Sequence, residues 1–138
     1  MNTNTHLVYE SIYGYIRVST LEQAKHGTSI KEQKKTITKM SQYLFDREPD
    51  GWYIDDGVSG TLDFNLRPQG RELLNQLEPT DVVLCAKLDR LIRRISVLCK
   101  VRDEFSELNI HLFAHDILGG AESISTSKSP SAKMFVNI

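Results

Sequence analysis

The chain has 138 residues, with 17 Lys+Arg against 18 Asp+Glu for a formal net charge of −1; 40% of it is hydrophobic and 25% charged. That is the composition of one ordinary globular domain, long enough to bury a core without disulfide or metal staples. The near-neutral balance excludes a protein that grips nucleic acid by bulk charge alone, and no apolar run approaches the ~20 residues of a membrane-spanning helix.

Residues 1 to 11 read as an N-terminal extension, with neither the basic nor the apolar region of a signal peptide. Residues 12 to 18 form a β-leaning run that ends at Ser19-Thr20, and the polar, glycine-bearing residues 21 to 28 read as a loop. Ser29-Ile30-Lys31-Glu32 is a capping box, in which the Ser29 hydroxyl can accept from an early helix amide while Glu32 reaches back. Ile30, Ile37, Met40 and Leu44 then recur at helical spacing to about residue 45. Pro49-Asp50-Gly51 predicts a turn and residues 52 to 55 a short strand. A glycine-bearing loop, residues 57 to 66, leads to Pro68, which suits a first helical position; that helix should bury Leu73, Leu74 and Leu77, and Pro79 stops it. Residues 82 to 86 are continuously apolar, as in a central strand covered on both faces. A loop or short turn, residues 87 to 94, precedes a helix over about 96 to 108 that presents Val97, Val101, Phe105 and Leu108. Residues 110 to 114 are a fourth strand. The serine-rich stretch 119 to 133 reads as a linker or loop, and residues 132 to 138 as the first turns of a further helix. Cys85 and Cys99 fall inside predicted elements with no metal-type or redox-type spacing, so a reducing, cytoplasmic setting is expected.

Alternating strands and helices predict an α/β fold of three layers, a largely parallel central sheet flanked by helices. In such sheets function gathers at the carboxyl ends of the strands. Strand one would deliver Arg17, Ser19, Thr20 and Gln23 there. Strand two would deliver Asp55, Asp56, Ser59 and Arg67, and strand three Lys87, Asp89, Arg90, Arg93 and Arg94. The first and third sets converge if their strands are neighbours, which would place a hydroxyl among several guanidinium groups. Arginine's rigid fork matches phosphate oxygens, so the set suits an anionic tetrahedral or bipyramidal centre. Charge points the same way: residues 86 to 102 hold six cations against Asp89 alone, a local +5 inside a remainder of −6.

Plainer readings compete at several positions. Ser19-Thr20 alone could be a helix-entry cap. Ser59 lacks the second glycine of a hydrolase elbow and reads as a turn residue. His111 and His115 would share a strand face but find no third ligand at metal-site spacing. Tyr15 fits either a packed aromatic with a bonded hydroxyl or a member of the site.

Taken together, the blocks resemble the serine recombinases (resolvases, DNA invertases and serine integrases) from about Tyr13 to Ile138. Tyr15-Ile16-Arg17-Val18-Ser19-Thr20-Leu21-Glu22-Gln23 is similar to the nucleophile motif of that family. Ser29-Ile30 with Gln33 resembles the start of its first helix, Asp56-Gly57-Val58-Ser59-Gly60 with Arg67-Pro68 its second strand exit, and Lys87-Leu88-Asp89-Arg90-Leu91-Ile92-Arg93 its most recognisable block. The resemblance implies that residues 12 to 131 are a catalytic domain cleaving and rejoining DNA strands through a covalent 5′-phosphoserine at Ser19. Arg17, Arg67, Arg90 and Arg93 would hold the scissile phosphate and Asp89 would orient arginines, with Tyr15, Gln23, Gln33, Asp56 and Lys87 in support. No metal or cofactor is implied. The implied partners are a double-stranded recombination site and further copies of the chain, as dimer and tetramer. The sequence departs from the family pattern in a longer stretch between Gln23 and Ser29, in Ile92 and in Arg94. Its end at residue 138 leaves the long oligomerising helix only begun and no DNA-reading domain, so an excised domain or a truncated, non-catalytic interaction module are both expected forms. A phosphate-handling enzyme of another kind lacks support, since no phosphate loop or acidic triad is present.

Overall fold

All seven residues of strand β1 (Ile12–Val18) are buried, which requires hydrogen-bonded neighbours on both edges and packing on both faces. The computed structural model, which describes residues 9–20, 29–87 and 95–116 with side chains in the last stretch from Cys99 onward, meets both requirements. Strands β1, β2 (Gly51–Asp56), β3 (Val82–Cys85) and β4 (His111–Ala114) form one sheet in the order β2-β1-β3-β4. Every pairing is parallel, β1 aligning Tyr13 with Gly51 and Arg17 with Asp55 on one side, and Ile12 with Val82 and Gly14 with Leu84 on the other. β3 completes the sheet by pairing Val82 with His111 and Cys85 with Ala114.

The period-two alternation of β1 sends its side chains to two separate cores. Ile12 and Ile16 join Val82, Leu84, Ala86 and Phe113 under helix α1 (Ile30–Phe45), which contributes Ile37 and Met40. Tyr13 and Tyr15 join Val83, Cys85 and Leu112 on the opposite face, under helices α2 (Pro68–Gln76) and α3 (Ile95–Glu107), which contribute Leu73, Val101 and Phe105. The three layers expected from the alternation are therefore present. α1 starts as its capping residues dictate, with the Glu32 amide donating to Ser29 Oγ at 3.1 Å, and ends at Asp46 in the left-handed region (φ 58°).

Some details differ from the sequence reading, among them that β3 ends at Cys85 rather than 86 and β4 starts at His111 rather than 110. β2 runs one residue further at each end than 52 to 55. The loop 57 to 66 contains a 3-10 turn, Phe64–Leu66, whose Phe64 is buried. Leu74 and Leu77 are only partly buried, beside fully buried Leu73. Leu108 lies beyond the end of α3 and is exposed, because the helix closes at Glu107 and turns through Asn109 at φ 57°. The expected loops at 21 to 28 and 88 to 94, the serine-rich stretch, the terminal helix start and the side chain of Val97 lie outside the described residues.

The amino ends of the strands are tied by carboxylates. Asp50 Oδ2 accepts from the Ile12 amide at 2.7 Å, and Asp81 accepts from Ser11 and Glu78 at 3.1 and 2.9 Å. With that end stitched, the carboxyl ends are left to carry the long loops. β1 leaves no room for a side chain at Gly14, where a Cβ would stand 2.5 Å from Trp52 Cε3 and 3.2 Å from Ile37 Cγ2. Gly14→Ala is therefore expected to destabilise the fold by about 1–3 kcal/mol through overpacking. The midpoint of urea unfolding, followed by the fluorescence of Trp52, the single tryptophan, measures it directly.

Candidate active site

The strand order fixes where a ligand can enter. From β2 the chain crosses to the other side of β1, so the sheet reverses its direction of winding between β1 and β3. Connections then diverge to either side and open a crevice beyond the carboxyl ends of those two strands. The strands that carry the first and third residue sets, β1 and β3, are neighbours and flank that crevice. Ser19 is half-buried one residue past β1, Thr20 is already helical, and exposed Lys87 follows the end of β3.

The neighbourhood of Ser19 is shaped by the exit from β2. The amides of Gly57 and Val58 both donate to Val18 O, at 2.7 and 3.1 Å. Gly57 adopts φ +76°, and a Cβ there would lie 3.5 Å from Thr20 Oγ1, so the loop turns directly against the Ser19-Thr20 corner. Arg17, on the α2/α3 face of β1, is wholly buried and donates from Nη1 to Val58 O at 2.9 Å. Its own carbonyl accepts from Gln33 Nε2 at 3.4 Å. Gln33, on α1, thereby ties the first helix to the strand that delivers the serine.

Arg67 is also wholly buried. Its Nε donates to Leu62 O at 3.0 Å, Nη2 to Gly60 O at 3.1 Å and Nη1 to the Tyr15 hydroxyl at 3.2 Å, and the guanidinium lies 5.5 Å from the Phe64 ring centroid. Tyr15 in turn donates to Asp55 Oδ2 at 2.8 Å. Asp55, itself 2% exposed, also accepts from the Gln69 and Gly70 amides at 2.8 and 3.0 Å. The start of α2 is capped by this carboxylate from β2, since its own N-cap residue, Arg67, contributes no side-chain cap. Burial pushes the Tyr15 phenol well above its ordinary value, Arg67 opposing the rise and Asp55 adding to it. The hydroxyl therefore stays protonated at neutral pH and serves as a hydrogen-bonding joint.

Of the expected site residues, the fold brings Tyr15, Arg17, Ser19, Gln33 and Arg67 around the end of β1. Asp56 is exposed at the end of β2. The carboxylate that faces inward is Asp55, which the motif comparison passes over in favour of Asp56. Strand parity could have found it, because Asp55 aligns with Arg17 and shares its face. Gln23, Asp89, Arg90 and Arg93 lie outside the described residues. Ser59 is a turn residue: its Oγ accepts from the Thr61 amide at 3.2 Å and sits 2.8 Å from Thr61 Oγ1. Two cations of the basic stretch have acidic neighbours on the surface, Lys100 with Asp63 at 3.4 Å and Arg102 with Asp103 at 3.7 Å. Among the described residues no three His, Cys, Asp or Glu side chains converge as metal ligands, and no helix is long and apolar enough to cross a membrane.

The family model described as "Resolvase, N terminal domain" matches residues 12–138. The transposon Tn2501 resolvase of Escherichia coli is 30% identical over 118 residues, covering 84% of this chain and 55% of that protein. The chain thus spans about half the length of this relative. Among solved structures, the N-terminal catalytic domain of TP901-1 integrase superposes with a TM-score of 0.70 at 30% identity, covering 92% of this chain and 89% of that one. A resolvase-family site-specific recombinase from Streptococcus pneumoniae superposes with a TM-score of 0.62 at 23% identity, covering 91% and 79%; at that identity the likeness speaks for the fold.

The Tyr15 environment predicts an alkaline limit to stability. An unfolded tyrosine releases its proton near 10.0, whereas the folded chain holds this one more tightly. The stability it confers is complete below that pH and declines as pH rises above it. Circular dichroism across an alkaline titration should show stability falling from about pH 10 upward. Tyr15→Phe should flatten the fall, leaving the smaller contributions of Tyr9 and Tyr53, whose phenols burial also raises.

Proposed function

The chain belongs to the resolvase N-terminal domain family, and from that premise we propose that it is the catalytic domain of a site-specific serine recombinase with Ser19 as nucleophile. The observation that carries this reading is the placement of Ser19. Ser19 stands at the switch point of the sheet, one residue beyond a central strand that also carries Arg17.

Ser19 Oγ attacks the phosphorus of a DNA phosphodiester. The new P–O bond links the 5′ phosphate to the serine, the bond to O3′ breaks, and O3′ leaves as a hydroxyl after taking up a proton. Rejoining is the reverse, with a 3′ hydroxyl attacking the phosphoserine and restoring the serine. The ester keeps the energy of the phosphodiester, so the exchange needs no other source. Serine is a weak nucleophile, and the step depends on cations fixed around the non-bridging oxygens. Arg17, Arg67, Arg90 and Arg93 fill that role. Asp89 orients arginines of its own block, and Gln23, Gln33, Asp56 and Lys87 support the site. Tyr15 does not take the Ser19 proton, because burial disfavours the phenolate, and arginine stays protonated throughout.

Arg17 and Arg67 donate to the carbonyls of Val58, Gly60 and Leu62. A carbonyl is a neutral acceptor, whereas a phosphate adds opposite charge and a pair of oxygens that match the guanidinium fork. A DNA phosphate arriving at the crevice can therefore replace those carbonyls, and the loop 57 to 66 yields as the arginines turn. The DNA site, the dimer and tetramer that bring two duplexes together, and a cytoplasmic place of action follow from the same reading.

Two measurements test it. Incubation of the full-length protein with a cognate site carrying a nick that traps the cleaved strand should give a covalent DNA adduct at Ser19 by mass spectrometry, and Ser19→Ala should lower its formation by at least about 10³-fold. An adduct on another residue, or cleavage that survives Ser19→Ala, refutes the nucleophile. By fluorescence anisotropy, the 138 residues alone should bind duplex DNA weakly and without sequence preference. With one local patch of +5 to neutralise phosphates, the log–log salt slope should not exceed about 5 in magnitude.

A further inference from the structure

Asp55 makes three hydrogen bonds, and each of them bears on Arg67. Two come from the amides of Gln69 and Gly70, which fix the first turn of α2 and therefore the backbone from which Arg67 projects. The third comes from Tyr15. A phenol has one hydrogen to give; with that hydrogen committed to Asp55, its oxygen can only accept, and Arg67 Nη1 is the donor that meets it. A single carboxylate thus sets the root of the arginine and the polarity of the group its head leans on. It does so at 2% exposure, in a place where an arginine at 0% needs a nearby negative group.

We propose that Asp55 is a positioning residue for Arg67, acting through Tyr15 as an oriented joint, so that Asp55, Tyr15 and Arg67 form one unit running from β2 through β1 to the head of α2. The inference rests on the proposed role of Arg67 at the scissile phosphate. When the loop carbonyls of Gly60 and Leu62 give way to phosphate oxygens, the Tyr15 oxygen is the partner that does not have to move. It holds Nη1 in place while Nε and Nη2 change acceptors. Asp56, one residue on and exposed, has no part in this.

Asp55→Asn separates polarity from shape. The side chain keeps its size and one oxygen for the α2 amides, but its NH2 group now donates to Tyr15. The phenol hydrogen is then turned toward Arg67, donor against donor. Tyr15→Phe cuts the joint and leaves the cap on α2 intact.

The experiment compares the wild-type chain, Asp55→Asn, Tyr15→Phe and the double variant by NMR, reading the Arg67 Nε–Hε line together with the Gln69 and Gly70 amides. Each single variant should speed Hε exchange by about tenfold or more, and the double variant should do no worse than the worse single, as in a cycle through one shared contact. Tyr15→Phe should leave the Gln69 and Gly70 amides unchanged, which keeps the test valid even if Asp55→Asn loosens α2. Additive effects, or an Arg67 line indifferent to Tyr15→Phe, overturn the proposal.

In the Ser19 adduct assay, both singles should slow adduct formation by about tenfold or more, with DNA affinity within about twofold of wild type. An unchanged adduct rate beside a mobilised Arg67 would likewise overturn it. Absence of any Ser19 adduct in the wild-type full-length protein on its cognate site would instead refute the recombinase reading, and the NMR cycle would still decide whether the joint exists.

Discussion

Two guanidinium groups with no solvent exposure, Arg17 and Arg67, impose the constraint from which the rest of the carboxyl end follows. Burying an ion costs several kcal/mol unless every donor finds an acceptor and some opposite charge stands near. The loop 57 to 66 supplies the acceptors by turning the carbonyls of Val58, Gly60 and Leu62 inward. Asp55 supplies the charge, relayed through Tyr15. The shape of the loop, the start of α2 and the orientation of Tyr15 are thus different aspects of one solution to that burial.

The arrangement explains why the site stands where it does. β1 is paired on both edges and covered on both faces, so its residues are the least free to move, and Ser19 is anchored one residue beyond it. The arginines are held by backbone carbonyls, acceptors that a more strongly accepting phosphate oxygen can displace. A rigid support for Ser19 therefore stands beside two cations held by neutral backbone carbonyls rather than by carboxylates. The amino ends of the strands, where Asp50 and Asp81 bind strand amides directly, carry no comparable freedom.

Much of this was legible in the residues. The capping box at Ser29, the apolar period of α1, Pro68 at the head of α2 and the continuous apolar run of β3 each reflect a local rule, and each element appears within a residue or two of its expected place. The motif blocks likewise named Tyr15, Arg17, Ser19, Gln33 and Arg67, residues that the fold gathers around one strand end. The 3-10 turn at Phe64 was not legible, because a three-residue turn leaves no periodicity. Leu108 misled because it continues the apolar spacing of α3 one residue beyond the point where Asn109 turns the chain. Asp55 and Asp56 are chemically identical neighbours, and spacing along the chain selects the exposed one.

The sequence by itself determined the alternation of strands and helices, hence the layered fold, and the set of hydroxyl and guanidinium groups gathered at strand exits. Those properties follow from side-chain period, capping and turn chemistry, which act over a few residues. Only the tertiary structure decided that Asp55 meets Tyr15 and the head of α2, that Arg17 and Arg67 are buried against loop carbonyls, and that Tyr15 must donate to one neighbour and accept from another. These depend on the register of β1 against β2 and on the approach of α2 across the sheet. Contacts between residues 15, 55 and 67 are fixed by long-range packing, and no local rule in the chain encodes them.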